Sequence, residues 1–204
     1  MTDGGMDATI ALDAPRAEQP RAAQPNGWWG MVLLIATEAT LFGCLFGSYF
    51  YLRIKNVHWP PPGIDTPDPV VPLVLVGVLV LTSVPMQLAS FAAVRGRRGR
   101  AWLAIALALV VQSGYFAFEI HSFLRDLHAF TPAQHAYGSI YFTLLGADHF
   151  HVAVGLLLNL WLLARLLTRL TRYRRTAVRT VALYWHFVNV LTLLVTGAIL
   201  SPSL

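Results

Sequence analysis

Charge is scarce in this chain. Asp, Glu, Lys and Arg make up 12% of its 204 residues, about half the roughly 25% usual in soluble domains. That scarcity, with 56% of residues hydrophobic, excludes an ordinary soluble domain, because a globule of this length cannot hide so much apolar surface. Cysteine is reduced to Cys44 alone. It can form no disulfide within the chain and has no second thiol for a metal site, so it reads as a small core residue. Residues 1–27 are rich in Ala, Pro, Asp and Gln and lack the basic start and apolar run of a secretion signal. They also lack large apolar groups, and are expected to form a disordered cytoplasmic tail.

Long apolar runs fill the rest. They cover 28–52, 70–94, 101–124, 137–163 and 181–201. Each is long enough for a helix to cross a bilayer, which takes roughly 20 residues at about 1.5 Å rise. The expectation is an all-α, polytopic bundle with five transmembrane helices occupying 28–204. Trp28 and Trp29 form an aromatic anchor where the first span meets the interface.

Basic residues set the expected orientation. Arg16 and Arg21 precede the first span, Arg95, Arg97, Arg98 and Arg100 follow the second, and Arg165, Arg169, Arg172, Arg174, Arg175 and Arg179 follow the fourth. Only Arg53, Lys55 and Arg125 fall on the other side. The positive-inside rule then puts the N-terminus in the cytoplasm and the C-terminus outside. The net charge of +5 is thus a topology signal, with some capacity to touch anionic lipid headgroups. No soluble domain presents these residues to a nucleic acid.

Between the first two spans runs His58-Trp59-Pro60-Pro61-Pro62-Gly63, followed by Pro67 and Pro69. Such Pro density stiffens a connection, either as a docking surface or as a cap on the bundle. In the second span Pro85 removes a backbone donor and should kink the helix, with Thr82, Ser83 and Gln87 nearby to satisfy the freed carbonyl. Gly43 and Gly47, then Gly146 and Gly155, supply small residues for close helix packing.

Three acids lie inside the apolar runs with no Lys or Arg beside them: Glu38, Glu119 and Asp148. A charge in hydrocarbon is costly, so such acids mark functional candidates and face other protein. Glu38 lies ten residues past Trp28, about 15 Å deep. Asp148 lies at similar depth in the fourth span, with His151 one turn further. His186 and Asn189 occupy the inner half of the fifth. Glu38, Asp148, His151, His186 and Asn189 are therefore expected to share one polar layer. Asp148, His151 and Gly155 form one stripe at i, i+3, i+7, and His186 and Asn189 share a face. His149 is offset from the stripe. Glu119 lies near the outer end of the third span beside His121, within reach of water.

Low dielectric favours a neutral acid, or one hydrogen-bonded to His151 or His186. The layer reads equally as a proton-handling site or as a polar cluster that locks the helices together. The histidines at 149 and 151 point about 200° apart on a helix, unlike the His-Glu-x-x-His arrangement in which two ligands share a face. No metal or haem site is expected from them.

Three motifs in order resemble cytochrome c oxidase subunit III. Thr37-Glu38-Ala39-Thr40-Leu41-Phe42, followed by Ser48-Tyr49-Phe50-Tyr51-Leu52-Arg53, is similar to that family's Glu-bearing helix with its Tyr-Phe-Tyr-Leu-Arg exit. Tyr141-Phe142-Thr143-Leu144-Leu145-Gly146, with His151-Val152 and Gly155, resembles its Gly-x-His-x-x-His-Val-x-x-Gly helix. Tyr184-Trp185-His186-Phe187-Val188-Asn189-Val190 resembles its last-helix motif, Tyr-Trp-His-Phe-Val-Asp-Val. Two positions depart from the pattern. Asp148 stands where the first motif His is found, and Asn189 where the last motif has Asp. A carboxylate has in effect moved to a neighbouring helix, which keeps the acid count if the two positions touch. Seven-helix members have two further N-terminal helices, with lipid in the cleft that these form; this chain resembles the other five.

The resemblance implies a non-redox supporting subunit of a proton-pumping respiratory terminal oxidase in a bacterial inner (plasma) membrane. It implies phospholipid in the bundle, haem and copper in the partner catalytic subunit I and none in this chain, with subunit II as a further partner. Cytochrome c is the expected donor to the complex. A quinol oxidase subunit, or the related five-helix protein associated with nitric oxide reductase, is the alternative on the same fold. A proton-coupled carrier is the alternative of another class, although no repeat relates the halves and five spans do not divide into two.

Overall fold

A computed structural model describes residues 25–65 and 68–202, and all regular structure among them is helical. The elements are α1 (Asn26–Lys55), α2 (Val70–Leu81), α3 (Ser83–Val94), α4 (Arg98–Ala129), α5 (Ala136–Leu166) and α6 (Arg172–Leu200). They make five spans long and apolar enough to cross a membrane, with α2 and α3 joined as one, Val70–Val94. The all-α bundle of five spans is thus the observed fold. Residues 1–24 of the expected tail, and Pro67, lie outside the described residues, whereas Asn26 and Gly27 already belong to α1.

The helices outrun their apolar stretches, most of all at α6. Arg172, Arg174, Arg175 and Arg179, expected in the fourth loop, form its first two turns instead. Arg is a good helix former, and Thr171 caps the helix by accepting from the Arg174 N–H at 3.3 Å. The α5–α6 connection shrinks to residues 167–171, where the Arg98 guanidinium donates to the Thr168 carbonyl and so ties the second loop to the fourth. The second loop is shorter still. Gly96 at φ +73° ends α3 in a Schellman turn, with Arg97 N–H on Ala92 O and Gly96 N–H on Ala93 O. Arg100 beyond it is exposed. Arg100→Ala should shift stability by less than about 0.5 kcal/mol, measurable by unfolding in mixed micelles.

α6 is the central helix. It packs against α1, α2, α3 and α5, whereas α1 touches only α5 and α6. Trp185, Val188 and Val195 of α6 are fully buried, while α1 buries only Phe42 and Tyr49. This placement corrects two expectations. Cys44 is exposed, not a core residue. A Cβ added at Gly43 or Gly47 would meet nothing within 4 Å, so neither glycine serves a helix contact among the described residues. Both corrections have one cause: they lie on the flank of α1 turned away from α5 and α6.

The expected disruption at Pro85 is present three residues earlier. Pro85 leaves the Leu81 carbonyl without its i+4 partner, and the helix breaks at Thr82. There the Thr82 N–H and hydroxyl both donate to Leu79 O, at 2.9 and 2.6 Å. Gln112 of α4 donates to the Thr82 hydroxyl at 3.1 Å and accepts from the Asn159 amide of α5 at 2.8 Å. All three side chains are buried. Gln112→Leu removes both bonds and strands two polar groups, so it should cost about 1–2 kcal/mol of unfolding free energy in mixed micelles.

Candidate functional site

One turn of α5, Asp148 to His151, reaches three helices. His151 Nε2 lies 3.1 Å from Glu38 Oε2 on α1. Asp148 Oδ1 accepts from the Thr192 hydroxyl on α6 at 2.9 Å. His149 Nε2 lies 3.8 Å from Glu119 Oε2 on α4. The reason is angular. Successive residues on a helix are about 100° apart, so neighbours in one turn address different partners.

The two histidines share one device. His151 Nδ1 is 2.8 Å from the Ala147 carbonyl, and His149 Nδ1 contacts the Leu145 carbonyl. A carbonyl only accepts, so Nδ1 bears the hydrogen in both rings. A neutral ring then presents a bare Nε2 to its acid. At the 3.1 Å contact Glu38 must be protonated and donate, or His151 must be an imidazolium that donates to a carboxylate. Either way one proton belongs to the pair. The His151 side chain is 8% exposed and that of Glu38 24%. The open edge of the pair therefore lies at α1. Phe42 closes another side, its ring 5.4 Å from the His151 ring. The Tyr184 hydroxyl fixes the turn from α6 by donating to His151 O at 2.9 Å.

The remaining residues of the expected layer turn elsewhere. His186 Nε2 contacts Gln87 Oε1 on α3 at 3.1 Å, and the Asn189 amide donates to the Ser83 hydroxyl at 2.8 Å. Ser83 and Gln87 thus bind α6 and not the carbonyl freed by Pro85. No hydrogen bond joins Asp148 to Asn189 among the described residues. The carboxylate of Asp148 is answered by Thr192, one turn along α6 from Asn189. The direct contacts fall into three sets at α5 and α6: Glu38–His151, Asp148–Thr192, and the α3–α6 pairs.

Sequence reasoning left out two groups. The offset of His149 from the Asp148–His151 stripe directs it at Glu119. Gln112 and Asn159 went unremarked, although two uncharged amides in apolar helices are a signal in themselves, since each must find a partner in the bundle.

Fold and site together define a multi-pass membrane bundle with acid–imidazole contacts between its helices. The chain belongs to the cytochrome c oxidase subunit III family, whose pattern it matches over residues 18–199. It is 30% identical over 167 residues to cytochrome bo(3) ubiquinol oxidase subunit 3 of Pseudomonas aeruginosa, covering 81% of this chain and 79% of that one. It is 30% identical over 172 residues to cytochrome c oxidase subunit 3 of Danio rerio, covering 81% of this chain and 65% of that one. The chain therefore spans just under two thirds of the fish protein.

Proposed function

We propose that this chain is a non-redox supporting subunit of a haem-copper terminal oxidase, held against the catalytic subunit I and subunit II in a bacterial inner membrane. The family match over residues 18–199 carries this reading. The site agrees with it in kind, because Glu38–His151 offers a shared proton between helices. α1 supports the assembly role. It is bound on one flank only, by α5 and α6, and leaves Leu33, Leu41 and Phe50 exposed. Phospholipid and the partner subunit are the apolar surfaces that would cover that flank. The N-terminal end faces the cytoplasm, where its arginines concentrate.

Cytochrome c is the proposed donor to the complex. A ubiquinol donor is the second reading, favoured by the name of the Pseudomonas relative, of which this chain covers 79%. Affinity purification of the tagged chain from its native membrane tests both. Haem-copper catalytic subunit should copurify, and oxygen uptake with reduced cytochrome c or with ubiquinol separates the donors. Recovery with a nitric oxide reductase and no oxidase overturns the proposal.

A further inference from the structure

A second acid–imidazole pair lies at the bottom of a cavity that the Glu38 site does not use. The cavity is about 410 Å³ and lies between α2, α4, α5 and α6. It begins at Asp65 and Asp68 in the first loop and ends on Glu119 and His149. His149 is 7% exposed. Its Nε2 is buried with no hydrogen-bond partner among the described residues, and Glu119 Oε2 at 3.8 Å is beyond bonding distance.

One wall of the cavity is polar, and the rest is apolar, with Leu75, Phe123 and Leu145 among it. Glu119, Ser122 and Asp126 line it from α4 at i, i+3, i+7, one stripe of that helix. Thr196 faces them from α6. The Tyr141 hydroxyl of α5 donates to Asp126 Oδ2 at 2.7 Å. Arg125 at the mouth is exposed and pairs with Asp126 at 3.5 Å. α2 contributes Val71, Pro72 and Leu75 and no titratable group. Tyr137 lines the upper wall, and Asp148 adjoins His149 with its own oxygen on Thr192. Glu119, Ser122, Asp126 and Thr196 give water hydrogen-bond partners along the polar wall, and at roughly 30 Å³ per molecule the cavity has room for about a dozen.

We propose that this cavity is a hydrated proton inlet ending on Glu119 and His149. Neutral His149 holds its hydrogen at Nδ1 on the Leu145 carbonyl and leaves Nε2 bare, 3.8 Å from Glu119 Oε2. A hydronium ion in the cavity gives its proton to the Glu119 carboxylate and reverts to water. The Glu119 carboxylic acid so formed faces the bare Nε2 of His149 at 3.8 Å, and the two share the proton. No electron moves and no other bond changes. The site is separate from Glu38–His151, which opens on the far flank of α5 toward α1. It depends on this chain alone and not on the identity of its complex.

Two measurements on the full chain in membranes test it. The first uses a Cys44→Ser background and a cationic, water-soluble methanethiosulfonate. Ser122→Cys should be modified at least tenfold faster than Leu107→Cys, which lies on the exposed apolar face of α4. Equal rates would show a dry cavity and overturn the proposal. The second is an infrared titration between about pH 4 and 9. The wild type should show a carboxyl change that Glu119→Gln removes, that His149→Gln shifts, and that Glu38→Gln leaves in place. If wild type and Glu119→Gln superimpose, the site binds no proton and the inlet is wrong, even with Ser122→Cys labelled.

Discussion

Oxidase complexes carrying Glu38→Gln are expected to assemble at the normal level, begin turnover near the normal rate, and lose activity several-fold sooner during sustained catalysis. The expectation follows from the hydrogen count at the 3.1 Å contact with His151. The His151 Nδ1 hydrogen is committed to Ala147 O at 2.8 Å, so a neutral ring accepts at Nε2. Glutamine matches glutamic acid in shape, and its amide N–H can donate to that nitrogen. Packing is retained, but the amide cannot release its proton. The substitution therefore removes proton sharing and leaves the α1–α5 contact. His151→Gln should reproduce the defect, and the double variant should add little to either, because both remove one shared proton. Oxygen uptake followed through many turnovers, beside the yield of assembled complex, checks this. Loss of the complex with Glu38→Gln would mean that the pair locks helices and handles no proton.

The legibility of this protein in its sequence divides along one physical line. The spans were readable because hydrocarbon forces every backbone group into a helix and tolerates few charges. Depth was readable too, since rise per residue is constant, and it brought Glu38 and His151 to one level. Azimuth was harder. The stripe Asp148–His151–Gly155 suggested a common face, yet each member of it meets a different neighbour: Thr192, Glu38 and Trp185. Three residues apart leaves about 60° between side chains, enough to separate partners where three helices converge. The choice among partners belongs to tertiary packing. His186 and Asn189 show this, drawn to Gln87 and Ser83 by the position of α3. Exposure was legible least of all. Gly43, Cys44 and Gly47 look like an interface in sequence, but nothing local states that α1 lies at the rim.

Gly155→Ala should destabilise the bundle, whereas Gly43→Ala should not, and the opposite signs separate a glycine used within the chain from one that is free. In a helix interior, replacing Gly with Ala gains about 0.5–1 kcal/mol in the absence of contacts. At Gly43 a Cβ meets nothing within 4 Å, so the gain should appear. At Gly155 a Cβ would lie 2.7 Å from Trp185 Cζ2 and 2.9 Å from Cε2, closer than atoms can sit. The indole is fully buried and has no free end to swing aside. Either α5 and α6 separate or the ring leaves its rotamer, and overpacking of this kind costs about 1–3 kcal/mol. Separation would reach the site, because the Tyr184–His151 and Asp148–Thr192 bonds span the same two helices. Unfolding of the isolated chain in mixed micelles measures both signs. A Gly155→Ala chain as stable as the wild type would mean that the α5–α6 contact is looser than this packing requires. A Gly43→Ala variant that is stable alone but lowers the yield of complex would place a partner helix on the open flank of α1.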